Sequence, residues 1–221
     1  MASTVDIVNL ALGHLGDEAG VSSISPPDGS VQASHAQRFY PIARDVLLQS
    51  HTWGFATTRK SLAVLSISEL PPEWAFAYAK PTSLRMVAVF PAQVTAAPND
   101  GSIFDQSEFV ARAQAYPFNM ETLEDGTEVI YSNVQDAIGL FIRQVTDSTK
   151  FSPLVVAALA RLLASYLAGP ILKGKAGIEV AAKHLEWFEK VDAPRAKAFD
   201  AQAGRNTSYD TFIPASLKAR V

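Results

Sequence analysis

Four histidines, His14, His35, His51 and His184, are the side chains whose ordinary titration range reaches neutral pH. None of them pairs at the HxxxH or HExxH spacing that would set two imidazoles on one helix face for a metal, so each reads as structural or surface. The chain has no cysteine, which removes thiolate metal sites, disulfides and cysteine nucleophiles together. A serine nucleophile would need presentation on a strained turn, and no GxSxG elbow is present to supply one. The stretch Gly169-Pro170-Ile171-Leu172-Lys173-Gly174-Lys175-Ala176-Gly177 carries a Gly-Lys pair. However, Ala176 stands where a phosphate-binding loop needs a magnesium-holding hydroxyl, and the stretch reads as a helix-helix turn. Glu121, Glu124, Asp125 and Glu128 lack calcium-loop spacing and read as a solvated turn. Asp147, Ser148 and Thr149 precede Phe151-Ser152-Pro153, a pattern that suits the free amides at a helix start. Trp53, Phe55, Trp74, Phe76 and Tyr78 could stack nucleobases, but few basic residues interleave with them, so the set reads as core at a helix-to-sheet junction. The residues thus offer no catalytic, cofactor or metal constellation, and the chain is expected not to be an enzyme.

The elements that would position these groups follow from periodicity. Ser3-Thr4-Val5-Asp6 resembles a capping box, and Ile7, Leu10, Ala11 and Leu15 continue at helical spacing, which predicts a helix over 3–15. After a Ser/Gly/Pro-rich loop, Ala33, Ala36, Tyr40, Ala43 and Leu47 define a second helix, with Pro41 as an expected kink. Prolines then punctuate short apolar segments from His51 to Ser148, a β pattern. Strands are expected at 84–90, at 120–123 paired with 128–131 across Glu124-Asp125-Gly126-Thr127, and around Ile138, Leu140, Ile142 and Val145 with Phe141 on the opposite face. Pro153 opens a third helix expected to close at Gly169-Pro170. A fourth is expected over 175–203, with an i,i+4 pair Glu186–Lys190 and a bend at Pro194. From Gly204 the chain loses periodicity and reads as an extended arm, with Arg205, Tyr209, Phe212, Ile213 and Leu217 as its partner-binding anchors.

This order predicts an α+β protein. Residues 1–50 and 151–203 would form a four-helix bundle from the N- and C-terminal helix pairs, 51–150 a β-rich lobe, and 204–221 the arm. The length of 221 residues and the 48% apolar content suffice for such cores. The apolar run Leu154–Ile171 is interrupted by Arg161 and reads as a buried helix and not a membrane span. Neither a basic n-region nor an apolar h-region follows Met1, so a cytoplasmic origin is expected. The net charge of −3 hides an asymmetry: residues 1–170 carry 10 basic and 16 acidic side chains, whereas 171–221 carry 9 basic and 6 acidic. Most of the later alanines fall on the last two expected helices, where small side chains permit close packing.

Four stretches add a resemblance. Ala43-Arg44-Asp45-Val46-Leu47-Leu48 followed by His51-Thr52-Trp53-Gly54-Phe55-Ala56-Thr57-Thr58-Arg59-Lys60-Ser61-Leu62-Ala63 resembles a signature stretch of the tail tubular protein A family, the head-to-tail adaptors of short-tailed bacteriophages. Ile7-Val8-Asn9-Leu10-Ala11-Leu12-Gly13-His14-Leu15-Gly16 is similar to that family's opening helix, and Trp74-Ala75-Phe76-Ala77-Tyr78-Ala79-Lys80-Pro81-Thr82-Ser83-Leu84-Arg85 to a central segment. Ile142–Pro153, leading into Ala157–Pro170, resembles its later helical region. The match spans residues 5 to about 172, and Thr52, Gly54, Lys80 and Ser83 depart from the family pattern. Residues 204–221 align with nothing in it.

The resemblance implies a non-enzymatic virion protein of the neck, assembled in the host cytoplasm. It would form a ring, in that family a dodecamer, between the portal protein and the tail nozzle, with DNA passing through the lumen unread. It implies no cofactor and no membrane partner. Heterologous side faces close such a ring, and an acidic body would not retain the passing phosphates. The arm would then reach a neighbouring subunit or the portal. Two other classes stay open on the residues themselves: a tail-associated hydrolase with an unrecognised catalytic site, which predicts a deep pocket with a perturbed histidine, and a DNA-binding module, which predicts salt-dependent affinity.

Overall fold

The computed structural model describes residues 2–18, 20–67, 69–92 and 115–203. Of these, 47% are helical and 19% are in strands or bridges, a mixed composition compatible with α+β. The chain divides into two compact units, residues 1–44 with 147–221 and residues 45–146, the division falling inside the second helix.

The first unit is helical. Helix α1 (Thr4–His14) starts at a complete capping box: the Ser3 hydroxyl accepts the Asp6 amide at 3.1 Å and the Asp6 carboxylate accepts the Ser3 amide at 2.8 Å. Its buried face is Ile7, Val8, Ala11 and Leu12. Helix α2 (Val31–Gln49) passes through Pro41 without a break. Before α2, Asp28 accepts hydrogen bonds from Ser22 and Ser30, which hold its carboxyl far below the usual range, and Ser30 in turn accepts the Ala33 amide at 3.0 Å.

Helix α3 (Pro153–Leu172) opens with Ser152 as its cap and Pro153 in its first turn, where no amide is needed. Most of its circumference is covered, since Val155, Ala158, Leu159, Leu162, Leu163, Leu167 and Ala168 are all buried. By length and composition it is long enough to cross a membrane, but 61% of its apolar window is buried inside the fold. The helix does not close at Gly169-Pro170, as the sequence suggested. Pro170 lies in the last turn, the Lys173 amide closes on the Gly169 carbonyl at 3.0 Å, and the reversal occurs at Lys173 and Gly174, with φ of 56° and 59°. Residues 169–177 are therefore mostly helical, with a two-residue corner.

Helix α4 (Gly174–Trp187) returns along α3, to which α1 also packs. The two approach closely because Gly177 has no side chain: a Cβ there would stand 2.9 Å from the Ala168 carbonyl oxygen. After α4 the helix widens into a π-turn, Phe188–Asp192, in which the Ala193 amide bonds to the Phe188 carbonyl, and then resumes as α5 (Ala193–Ala203). The expected bend at Pro194 thus takes the form of an extra residue inserted just before a proline that has no amide to donate.

The second unit holds two three-stranded antiparallel sheets. Strand β1 (Thr57–Ser61), β3 (Arg85–Phe90) and β6 (Ile138–Ile142) pair in the order β1-β6-β3, while β2 (Phe76–Ala79), β4 (Phe118–Thr122) and β5 (Glu128–Ser132) pair as β2-β5-β4. The β4–β5 hairpin has the expected turn, with Thr122 opposite Glu128 and Gly126 at φ 84°. Strand β3 slips by one residue between Met86 and Ala88 against β6, a bulge. The core combines Leu62, Tyr78, Met86, Val89, Ile130, Val134, Ala137 and Phe141. Of the residues expected to form this strand, Ile142 and Val145 are buried and Ile138 and Leu140 half-buried, and Phe141, expected on the opposite face, is buried in the core; the strand itself ends at Ile142.

Candidate functional site

Trp53 organises the passage from α2 to β1. It is fully buried, its indole Nε1 donates to the Leu47 carbonyl at 2.9 Å, and its own carbonyl accepts the Ala56 and Thr57 amides at 3.0 and 2.9 Å. The indole joins the Ser50 amide at 3.2 Å and the Ser50 hydroxyl at 2.8 Å on the Leu47 carbonyl, at the end of α2. His51 sits edge-on to the ring at 4.8 Å and Phe55 lies 5.9 Å away. Thr52, a departure from the family pattern, accepts a hydrogen bond from Arg85 Nη2 at 3.2 Å. The other aromatics lie elsewhere in the unit: Tyr78 is buried in the core and donates from its hydroxyl to the Val134 carbonyl, with Phe76 packed on the same cluster, whereas Trp74 packs with Ala77, Val129 and Tyr131. The five aromatics thus occupy three settings and form no continuous stacking platform.

The acidic turn is held by its own backbone. The Asp125 carboxylate accepts the Thr127 amide at 2.9 Å, which holds its carboxyl below the usual range, and Glu128 pairs with Lys80 at 2.6 Å. Among the described residues no group of three or more His, Asp or Glu could hold a metal ion. Asp147 caps a short 3-10 turn, Ser148–Lys150, by accepting the Thr149 amide and hydroxyl at 3.1 and 2.6 Å. The buried Ser148 hydroxyl donates to the Ala2 carbonyl at 3.0 Å, a tie between the two ends of the helical unit that no local pattern announces.

One polar constellation is assembled by the fold alone. His14, in the last turn of α1, and His184, on α4, have ring centroids 6.0 Å apart. Arg161 of α3 lies between elements as the hub: its Nη1 is 3.3 Å from His184 Nδ1, its Nε donates to Asp192 of the π-turn at 3.1 Å, and its guanidinium stands 5.9 Å from the Trp187 ring. Arginine can only donate, so a hydrogen bond at this contact requires the neutral His184 tautomer with its proton on Nε2. The His14 backbone, at the end of α1, also acts on the ring. Burial first and Arg161 second push both imidazoles below their ordinary value of 6.5. The His14 backbone favours a charged His184 but is the smaller effect. The remaining histidine, His35, stacks on Phe39 at 6.5 Å, and Phe39 meets Tyr166 at 6.3 Å.

Among the described residues each helix leaves at least one large apolar side chain exposed, Leu10 on α1, Leu172 on α3 and Phe199 on α5 singly, and α2 and α4 three each. On α4, Ile178 is 71% and Leu185 39% exposed at i,i+7 spacing, and Trp187 is 53% exposed beyond them. On α2, Val31, Ile42 and Val46 are exposed along one side. The anchors expected to bind a partner, Arg205, Tyr209, Phe212, Ile213 and Leu217, lie outside the described residues. No protein-family model matches the chain, and no curated protein matches it.

Proposed function

We propose that the chain is the subunit of a structural head-to-tail adaptor ring, seated between a phage portal and the tail nozzle, with a lumen through which DNA passes unread. The observation that carries this reading is the ordered series of four stretches resembling tail tubular protein A within one chain. What those stretches do in the fold supports it: they build the body and end of α1, the Trp53 corner, strand β2 with the entry to β3, and the capped start of α3. They are framework residues, as expected where a family is defined by its subunit architecture and not by a reaction. In this reading the N- and C-terminal helix pairs act as a four-helix bundle, with α5 leading to the arm. The open apolar faces of α2 and α4 are the two unlike side faces that a heterologous ring buries.

The test is the mass of the purified full chain, alone and mixed with its portal, by native mass spectrometry and electron microscopy. A closed ring in either condition is the expected result. A chain that stays monomeric with the portal present overturns the proposal, and hydrolysis of an envelope polymer by the monomer would replace it.

A further inference from the structure

We propose that His14, His184, Arg161 and Asp192 form a proton-operated clasp that holds the C-terminal end of α1 to α3 and α4 and opens when the imidazoles become charged. The inference is independent of the adaptor reading, since it concerns one subunit's own helices. Its basis is the geometry of the four side chains, which arrive from α1, α4, α3 and the π-turn.

Near neutral pH the charges balance. One guanidinium meets one carboxylate at 3.1 Å, and the His184 ring stands with Nδ1 3.3 Å from Arg161 Nη1 and its centroid 6.0 Å from the His14 ring at the end of α1. Protonating His184 places a second donor on Nδ1, opposite Arg161 Nη1 at 3.3 Å, so the hydrogen bond becomes a contact between two cations. Protonating His14 adds a third positive charge 6.0 Å from the second. Asp192 is the carboxylate that bears on this group, and it already serves Arg161, so the cluster changes from neutral to a net two positive charges in a partly buried site. The groups acting on His14 from the elements around it are Arg161, His184 and Asp192, and those acting on His184 are Arg161 and the His14 backbone.

The π-turn is the device that completes the clasp. Its inserted residue shifts the register of the helix after Phe188, and Asp192 in that turn reaches Arg161 across to α3. The site also has its own weak point, because α1 ends there, and the last carbonyls of a helix have no partner within it.

The sign follows from linkage. A base that binds its proton less readily in the folded chain than at its ordinary 6.5 leaves the folded state fully stabilised above that value, and the stabilisation is lost as pH falls through 6.5 toward the lower folded value. The experiment is amide hydrogen exchange on the full chain at about pH 7.5 and about pH 5, the span over which histidine titrates, corrected for intrinsic rates, with strands β5 and β6 as the reference in the same molecule. Protection of α1 is expected to fall at least about tenfold relative to those strands, the effect of one unit in one proton equilibrium. The double variant H14Q/H184Q is expected to hold its α1 protection across the same span. Equal α1 protection at both pH values in the natural chain, or the same loss in the double variant, overturns the proposal. Should that variant fail to fold, titration of the two imidazoles by NMR in the natural chain decides: midpoints below 6.5 for both support the clasp, and a His184 midpoint at or above 6.5 overturns it.

Discussion

The 2.9 Å between a Cβ at Gly177 and the Ala168 carbonyl oxygen sets how near α4 can lie to α3. The obstacle is backbone and cannot swing aside, so Gly177→Ala should destabilise the helical unit by about 1–3 kcal/mol, although alanine improves helix propensity by about 1 kcal/mol. A urea-unfolding midpoint unchanged or raised in that variant would show that the helices part without cost. Other residues were legible one at a time but not in company. His14 and His184 have no spacing motif because they stand on separate helices, and Arg161 read only as an interruption of an apolar run. Their meeting depends on how α1, α3 and α4 pack, which local spacing does not encode. By contrast, the Asp147 and Ser152 caps could be read directly, since a cap acts over two or three residues.

Elements were readable where a local signal ran for several turns. The capping box and the Ile7, Ala11 periodicity define α1 to within a residue of its observed ends. Ser3→Ala removes the hydroxyl that accepts the Asp6 amide and should lower stability by about 0.5–2 kcal/mol, seen as a lower thermal midpoint. An unchanged midpoint would mean that the helix start frays in the natural chain as well. Strands β1 and β2 were not legible. β1 is Thr-Thr-Arg-Lys-Ser with its last three residues exposed, and its partner β6 lies some eighty residues later. Pairing with β6, not its own apolar pattern, makes it a strand. The end of α3 was misread because Gly-Pro normally stops a helix. Pro170 removes the amide that would bond the Tyr166 carbonyl, yet α3 runs on to Leu172, and the positive φ of Lys173 and Gly174 makes the corner.

For the whole molecule, the unequal charge of its two ends and the open apolar faces bear on assembly. Residues 1–170 carry an acidic excess and 171–221 a basic one; under the proposed adaptor role the acidic part would not retain a passing polyanion. Removing residues 205–221 should leave the chain folded, with an unchanged circular dichroism spectrum, because among the described residues the last buried helical side chain is Ala196. Under the proposed adaptor role, the truncation should also reduce binding to a portal or to a neighbouring copy by at least about tenfold, the order of a few lost anchor contacts. Assembly that proceeds undiminished would take the arm out of the interface.

The sequence by itself determined what short-range physics can determine: helix starts through caps, the β4–β5 turn through Asp-Gly, the alternation of a helical and a β-rich region, and the absence of any cysteine chemistry. Only the tertiary structure decided which strands pair, that the aromatic set separates into three environments, and that Arg161 becomes the hub of two histidines and an aspartate. The reason is physical. A cap or turn is fixed by bonds spanning a few residues, whereas the Arg161 group exists only once burial of α3 on several sides has brought α1, α4 and the π-turn to the same place.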